Sequence, residues 1–293
     1  MATGSHTPTT ADKHIDETWS DEILRAQEFK IVIAGTINRD WKRNGGHGDT
    51  VHVRRLPNIE NTTLTVGTDW TPYVYTDTEQ TLTITVFDVT GILVNDVTKA
   101  LSMTDFEAEA QRQIAYSLAR TKEVNLAALF QSFSQIVGSY GVELTWDNFL
   151  RAAQYLADAG VQEMGFNWLI SPATEMGAMK LDLFTNALYR GDKGATAIEQ
   201  GTISKNLLGG TVLRSNILRA PASGQHDNAV YVRDAIAMVE ALVPKTFNEF
   251  QALRPGHVIG ALAVYGYTEV DRYSEAAGNI TATDEWAVLM KAV

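Results

Sequence analysis

The chain of 293 residues contains no cysteine. That excludes a disulfide framework, thiolate catalysis and cysteine-ligated zinc, and it fits synthesis in a reducing compartment. Cations are scarce: 24 Lys and Arg against 35 Asp and Glu leave a formal net charge of −11. A protein that grips nucleic acid without sequence preference needs clustered Lys and Arg to displace counterions, so the balance argues against that class. It leaves room for a container that encloses nucleic acid without gripping it. No apolar run is long enough to span a bilayer, the N-terminus is polar, and there is no secretion signal. The expectation is a soluble chain, intracellular at synthesis, with no membrane partner. The sequons Asn61-Thr62-Thr63 and Asn279-Ile280-Thr281 then read as chance matches.

Assembled catalytic signatures are missing too. The six histidines, at 6, 14, 47, 52, 226 and 257, fall in no paired metal-ligand spacing. Gly45-Gly46-His47-Gly48 lacks the lysine of a phosphate loop, and no Gly-x-Ser-x-Gly elbow occurs. Lys30-Ile31-Val32-Ile33-Ala34-Gly35 looks like the first strand of a dinucleotide-binding unit, but Thr36-Ile37-Asn38-Arg39-Asp40 supplies none of the further glycines. Glu107/Glu109 and Asp284/Glu285 are carboxylate pairs of the kind any acidic protein carries, and a solvated face is their default. No catalytic, cofactor-binding or metal residue is assigned, and the expectation is a protein that is not an enzyme.

What is present is organised around residues 45–133. Gly45-Gly46-His47-Gly48-Asp49 reads as a hinge. Two runs with the strand period of two follow. Thr50 to Leu56 puts Val51 and Val53 on one face and His52 and Arg54 on the other. Thr81 to Phe87 groups Leu82, Ile84 and Val86 opposite three threonines. Between them a polar tip over 58–78 carries Trp70, Tyr73 and Tyr75. Extended chain from Thr50 to an apex near Val66 reaches about 50 Å. A lone two-stranded hairpin of that length is marginal in water, so it should lie on something else. Arg54 and Arg55 are adjacent and point to opposite faces: one suits an acidic neighbouring subunit, and both discourage edge aggregation.

A long helix is expected from near Ser102 to Phe133. Thr104-Asp105-Phe106-Glu107 has the capping-box form, and alanines and straight-chain residues follow without Gly or Pro. Phe106, Ile114 and Leu118 mark one stripe, and some 29 residues give about 45 Å. Before the hairpin, residues 1–18 read as a disordered tail or as an arm that orders on a partner. The four-residue spacing of Phe29, Ile33, Ile37 and Trp41 predicts a helix over 19–41. After residue 141 the chain reads as a compact α/β unit. It has a helix capped by Thr145 and stopped by Gly160, a buried strand at 166–170, and a helix from Ser171-Pro172 through Met176, Met179 and Leu183. A polar loop at 192–200, a turn into a strand at 208–213, and a stretch of mixed pattern at 229–242 follow. Strands are expected at 257–267 and 284–293.

This order of parts resembles the major capsid proteins of tailed bacteriophages, the Hong Kong 97-type fold. The segments that carry the resemblance are Gly48-Asp49-Thr50-Val51-His52-Val53-Arg54-Arg55-Leu56-Pro57, Phe106 to Phe133 and Leu207 to Leu218. The resemblance implies an α+β fold in five regions: an N-terminal arm with a first helix (1–44), an extended loop lying across an adjacent subunit (45–90), a peripheral domain with its spine helix (91–144), an axial domain (145–255) and returning strands (256–293). It implies pentamers and hexamers in an icosahedral shell around double-stranded DNA, built in the host cytoplasm with a portal and, in some cases, a cement protein. The inter-subunit residues would be Gly48, Asp49, Val51, Val53, Arg54, Arg55, Trp70, Tyr73 and Tyr75, and the spine helix would rest on Thr104, Phe106, Glu107, Ile114 and Leu118. Some members weld the shell through a lysine on the extended loop; no lysine lies between Lys42 and Lys99, so no such cross-link is expected through this hairpin. The short stretch ahead of the fold leads us to expect a separate scaffolding protein. Two other readings stay open: an encapsulin-type compartment, and an α/β enzyme with an oligomerisation arm.

Overall fold

A computed structural model describes residues 31–41, 48–55, 61, 63–72, 78–95, 106–161, 165–185, 201, 203, 205–218, 221–251, 256–270, 272–274, 281–283 and 286–292. In chain order these form β1 (Thr50–Arg55), β2 (Thr78–Thr83), β3 (Val86–Asn95), α1 (Phe106–Ala128), β4 (Gln135–Gly138), α2 (Trp146–Asp158), β5 (Phe166–Ile170), α3 (Pro172–Ala178), α4 (Asp182–Thr185), β6 (Asn206–Leu207), β7 (Gly210–Arg214), β8 (His226–Val232), β9 (Ile236–Phe250), β10 (Gly256–Glu269), β11 (Arg272–Ser274), β12 (Thr281–Thr283) and β13 (Ala287–Ala292).

Two larger sheets carry the structure. One is antiparallel, in the order β3-β10-β9; the other is mixed, in the order β4-β13-β8-β5-β7-β6. The mixed sheet is buried on both faces, and strand alternation sorts its residues. Trp168, Ile170, Val230, Val232, Val288 and Met290 pack with Phe149, Ala152 and Leu156 of α2. Leu169, Ala229, Tyr231, Ala287 and Leu289 meet Leu126, Ala127, Phe130 and Phe133 at the end of α1. The other half of α1 lies on the three-stranded sheet, where Ile114 and Leu118 pack with Val94, Ile259 and Ala261. One helix thus bridges both sheets. Its straight-chain and alanine composition lets it run 23 residues before a 3-10 turn, Leu129–Ser132, ends it.

The expected helix at 19–41 is not found in its described part. Residues 31–41 make one 3-10 turn, Ile33–Gly35, and then a single parallel bridge from Asn38 to Ala237. Ile33 and Ile37 are both buried, so the apolar spacing was meaningful while the helical period was not. The second hairpin run also divides. β2 ends at Thr83 and pairs with β1, whereas β3 begins at Val86 and joins β10 in another sheet. At the break, the Ile84 amide donates to the Asp49 carbonyl at 2.7 Å. The helix begun by Ser171-Pro172 stops at Ala178; its cap is as expected, the Ser171 hydroxyl accepting from the Thr174 amide, and Asp182–Thr185 is a separate turn of helix. Thr145 occupies the N-cap position of α2 without a side-chain cap bond, and Gly160 follows the helix in the left-handed region. The mixed pattern at 229–242 is β8 and β9 joined through a 3-10 turn, Arg233–Ala235, by which the chain passes from one sheet to the other.

Candidate assembly surfaces

The base of the hairpin is held by its own chain. Val51 pairs with Leu82 across the two strands, and both are buried against Ala237, Val239 and Val270, with Val53 and Ile84 at the margin. Close approach to β10 is possible because position 266 is glycine. A Cβ there would lie 2.5 Å from the Thr83 carbonyl oxygen and 2.9 Å from the Ile84 Cα. The Gln80 amide adds a bond to the Glu269 carbonyl at 2.9 Å. Val51 and Val53, expected between subunits, therefore serve a contact inside the subunit, because the half-buried face of a two-stranded ribbon finds its cover at the junction of β9 and β10. His52 and Arg54 lie on the exposed face, with His52 Nδ1 3.3 Å from the Glu79 carboxylate. Gly48, at φ 94°, and Asp49 form the turn into β1.

Beyond the base, the described part of the tip is wholly exposed. The amide and hydroxyl of Thr68 both donate to the Thr65 carbonyl, at 3.1 and 2.7 Å, and Gly67 at φ 95° takes the left-handed position of the turn. Leu64, Val66 and Trp70 stand out from it, with Trp70 62 % exposed. Tyr73 and Tyr75, the Thr104 cap and the side chains of Arg55, Phe106 and Glu107 lie outside the described residues; Phe106 and Glu107 do open α1. Ile114 and Leu118 are where the stripe put them, 3 % and 5 % exposed.

A second uncovered surface lies on the three-stranded sheet, on the face away from α1. Phe87, Val89 and Leu93 of β3 are exposed there, beside their half-buried β10 partners Val264, Leu262 and Val258. Apolar patches of this kind mark interaction sites. The sheet's outer strand β9 contains Pro244 beside a register shift, which is tolerated at an edge but not in a central strand.

Sequence reasoning missed the joint where the N-terminal segment meets α1 and β9. Glu240 of β9 accepts from Lys122 at 2.5 Å and from Arg39 at 3.0 Å. Burial works to raise the Glu240 carboxyl, yet the Lys122 hydrogen bond and the charges of Lys122 and Arg39 together hold it below the usual carboxylate range. Beside it the Asn38 amide donates to the Ile236 carbonyl at 3.0 Å, and the Met238 amide to the Asn38 carbonyl at 2.9 Å. Thr36 and Tyr231 share a hydroxyl bond of 2.6 Å, and burial pushes the Tyr231 phenol upward. The Tyr265 phenol is also raised, by burial and by its bond to Asp88. None of these residues stood in a spacing that local pattern could read, since each pairs with a partner far along the chain.

Among the described residues no three His, Asp or Glu side chains converge as a metal site, and no helix is long and apolar enough to cross a membrane. No protein-family model and no curated protein matches the sequence. Solved structures do match, over nearly the whole chain. A chain of Mycobacterium phage Che8 superposes with a TM-score of 0.77 at 21% identity, covering 94% of this chain and 96% of that one. The capsid of cyanophage P-SCSP1u gives 0.77 at 15% identity, over 100% and 97%. The capsid of a native GTA particle gives 0.69 at 11% identity, over 100% of both chains. The architecture is α+β, of the class in which a long helix bridges two sheets. It is the Hong Kong 97-type fold of phage capsid subunits.

Proposed function

We propose that this protein is a major capsid protein, which self-assembles into the icosahedral head shell of a tailed bacteriophage around double-stranded DNA. The observation that carries the reading is a fold matched end to end by capsid subunits, in a chain that leaves a hairpin tip and an apolar sheet face uncovered. Exposed apolar surface of this kind marks an interaction site. In this reading residues 45–90 are the extended loop that crosses to a neighbour, with Gly48 and Asp49 at its hinge. Arg54, Arg55, Trp70, Tyr73 and Tyr75 are its contacts. Residues 91–144, with α1, are the peripheral domain, 145–255, with α2 and α3, the axial domain, and 256–293 the strands that return to complete their core. Pentamers and hexamers, a scaffold, a portal and in some cases a cement protein complete the head, which forms in the host cytoplasm and becomes part of the virion. The acidic chain suits a wall that encloses DNA without binding it tightly. The hairpin has no lysine to weld, so the shell is held by burial and ion pairs or by an added cement protein.

Electron microscopy of the purified protein, with and without a candidate scaffold, is the test. Closed shells of uniform size are expected, and nucleic acid inside native particles separates a virus head from an encapsulin-type compartment. Small monodisperse species under both conditions would count against the shell and favour the enzyme. Replacing Arg54 and Arg55 with Glu should leave a soluble folded subunit that no longer assembles; normal shells from that variant would remove the electrostatic role of the hairpin.

A further inference from the structure

Glu123 lies in the C-terminal third of α1 and is fully buried. Its carboxylate receives three backbone amides of one segment. Val32 and Ile33 donate to Oε2 at 3.2 and 2.8 Å, and Ala34 donates to Oε1 at 2.7 Å. These amides open the 3-10 turn Ile33–Gly35, whose own N-cap residue, Val32, offers no side-chain cap. Free amides at the start of a turn need acceptors, and an anion is the strongest one available. Here it comes from a helix 90 residues further along the chain. The next residue back, Lys122, is turned about 100° around the helix and binds Glu240, which also holds Arg39. Consecutive residues of α1 therefore grip the segment at both ends, with Ile33 and Ile37 pressed into the core between them.

We propose that Glu123 is a positioning residue for assembly. It fixes the course of residues 32–39 over α1 and β9, and with it the surface that the subunit brings to assembly. The proposal rests on the reading of this protein as a shell subunit. The chemistry requires a carboxylate, since only that group offers two acceptor oxygens and no donor. Glutamine keeps the size but turns one acceptor into an NH2 group facing an amide N–H.

Hydrogen exchange on the free full-length subunit, wild type and E123Q, tests the anchor. In the wild type the amides of Val32, Ile33 and Ala34 should exchange as slowly as those of β8. In E123Q they should exchange at least tenfold faster, while β8 and β13 stay unchanged, and trypsin should cut after Arg39 faster by a similar factor. In assembly trials E123Q should give shells of mixed size or none. Fast exchange of the three amides in the wild type would overturn the anchor even if E123Q failed to fold, as would unchanged exchange and cleavage in a folded E123Q. Uniform shells from an E123Q whose segment is demonstrably loosened would overturn the positioning role. A wild-type chain that never forms shells would overturn the shell reading and with it the assembly half of this proposal, while the anchor is judged on the free subunit.

Discussion

Replacing Leu82 with Ala should undock the hairpin without unfolding the body. Leu82 is 1 % exposed and belongs to a cluster of five buried residues, Val51, Leu82, Ala237, Val239 and Val270. A Leu-to-Ala change at a buried site removes transfer energy and leaves a cavity, at a cost of about 2–5 kcal/mol. The cluster is small, and about 3 kcal/mol, inside that range, is the working figure. β1 and β2 form a sheet of their own, so the loss should fall on docking of that ribbon and not on the mixed sheet. At about 1.4 kcal/mol per decade, amides of 50–55 and 78–83 should exchange more than about 100-fold faster, with those of β8 unmoved. Native-state hydrogen exchange of the free subunit reads this directly. Gly266→Ala attacks the same contact from the other side, because its Cβ would press on the Thr83 carbonyl and on Ile84, and it should accelerate the same amides. Unchanged exchange in both variants, or equal acceleration in β8, would refute the view of the hairpin as a separately docked unit.

Two further perturbations probe the joint and the tip. Because the folded-state carboxyl of Glu240 is depressed, its contribution to stability is present above the unfolded value of about 4.3 and is lost as pH falls through the folded value. E240Q should therefore be less stable than wild type at pH 7, and urea unfolding curves of the two should converge in strong acid; a gap that persists unchanged would remove the ion pair as its cause. Trp70→Ser touches no packed neighbour, so thermal stability should shift by no more than about 0.5 kcal/mol, while assembly yield falls. Equal yields would take Trp70 out of the inter-subunit contact.

Much of the fold was legible wherever a few neighbouring residues decide it. The Ser171-Pro172 start, the stripe through Ile114 and Leu118, the apolar run Phe166–Ile170 and the turn at Leu208-Gly209 into β7 were all readable locally. The hairpin was legible as a ribbon but not in its extent. The period of two continues through Ile84 and Thr85 while the chain changes sheets, and alternation does not name the partner strand. Residues 31–41 misled for the same reason. Ile33 and Ile37 are spaced for a helix and are indeed buried, but the amides of Val32, Ile33 and Ala34 go to Glu123 and that of Asn38 to β9, while those of Gly35 and Thr36 close just one 3-10 turn.

Periodicity thus determined the long helix, and the order of parts carried the resemblance that implied the class of fold. Tertiary structure alone decided which face of the hairpin is covered at home and that β13 enters the mixed sheet between β4 and β8. It also brought Arg39, Lys122, Glu123 and Glu240 to one joint. The physical reason is range. A cap or a stripe is settled within one or two turns of chain, whereas the partner of a buried face is chosen among segments a hundred residues apart, and many apolar sequences satisfy that choice equally well.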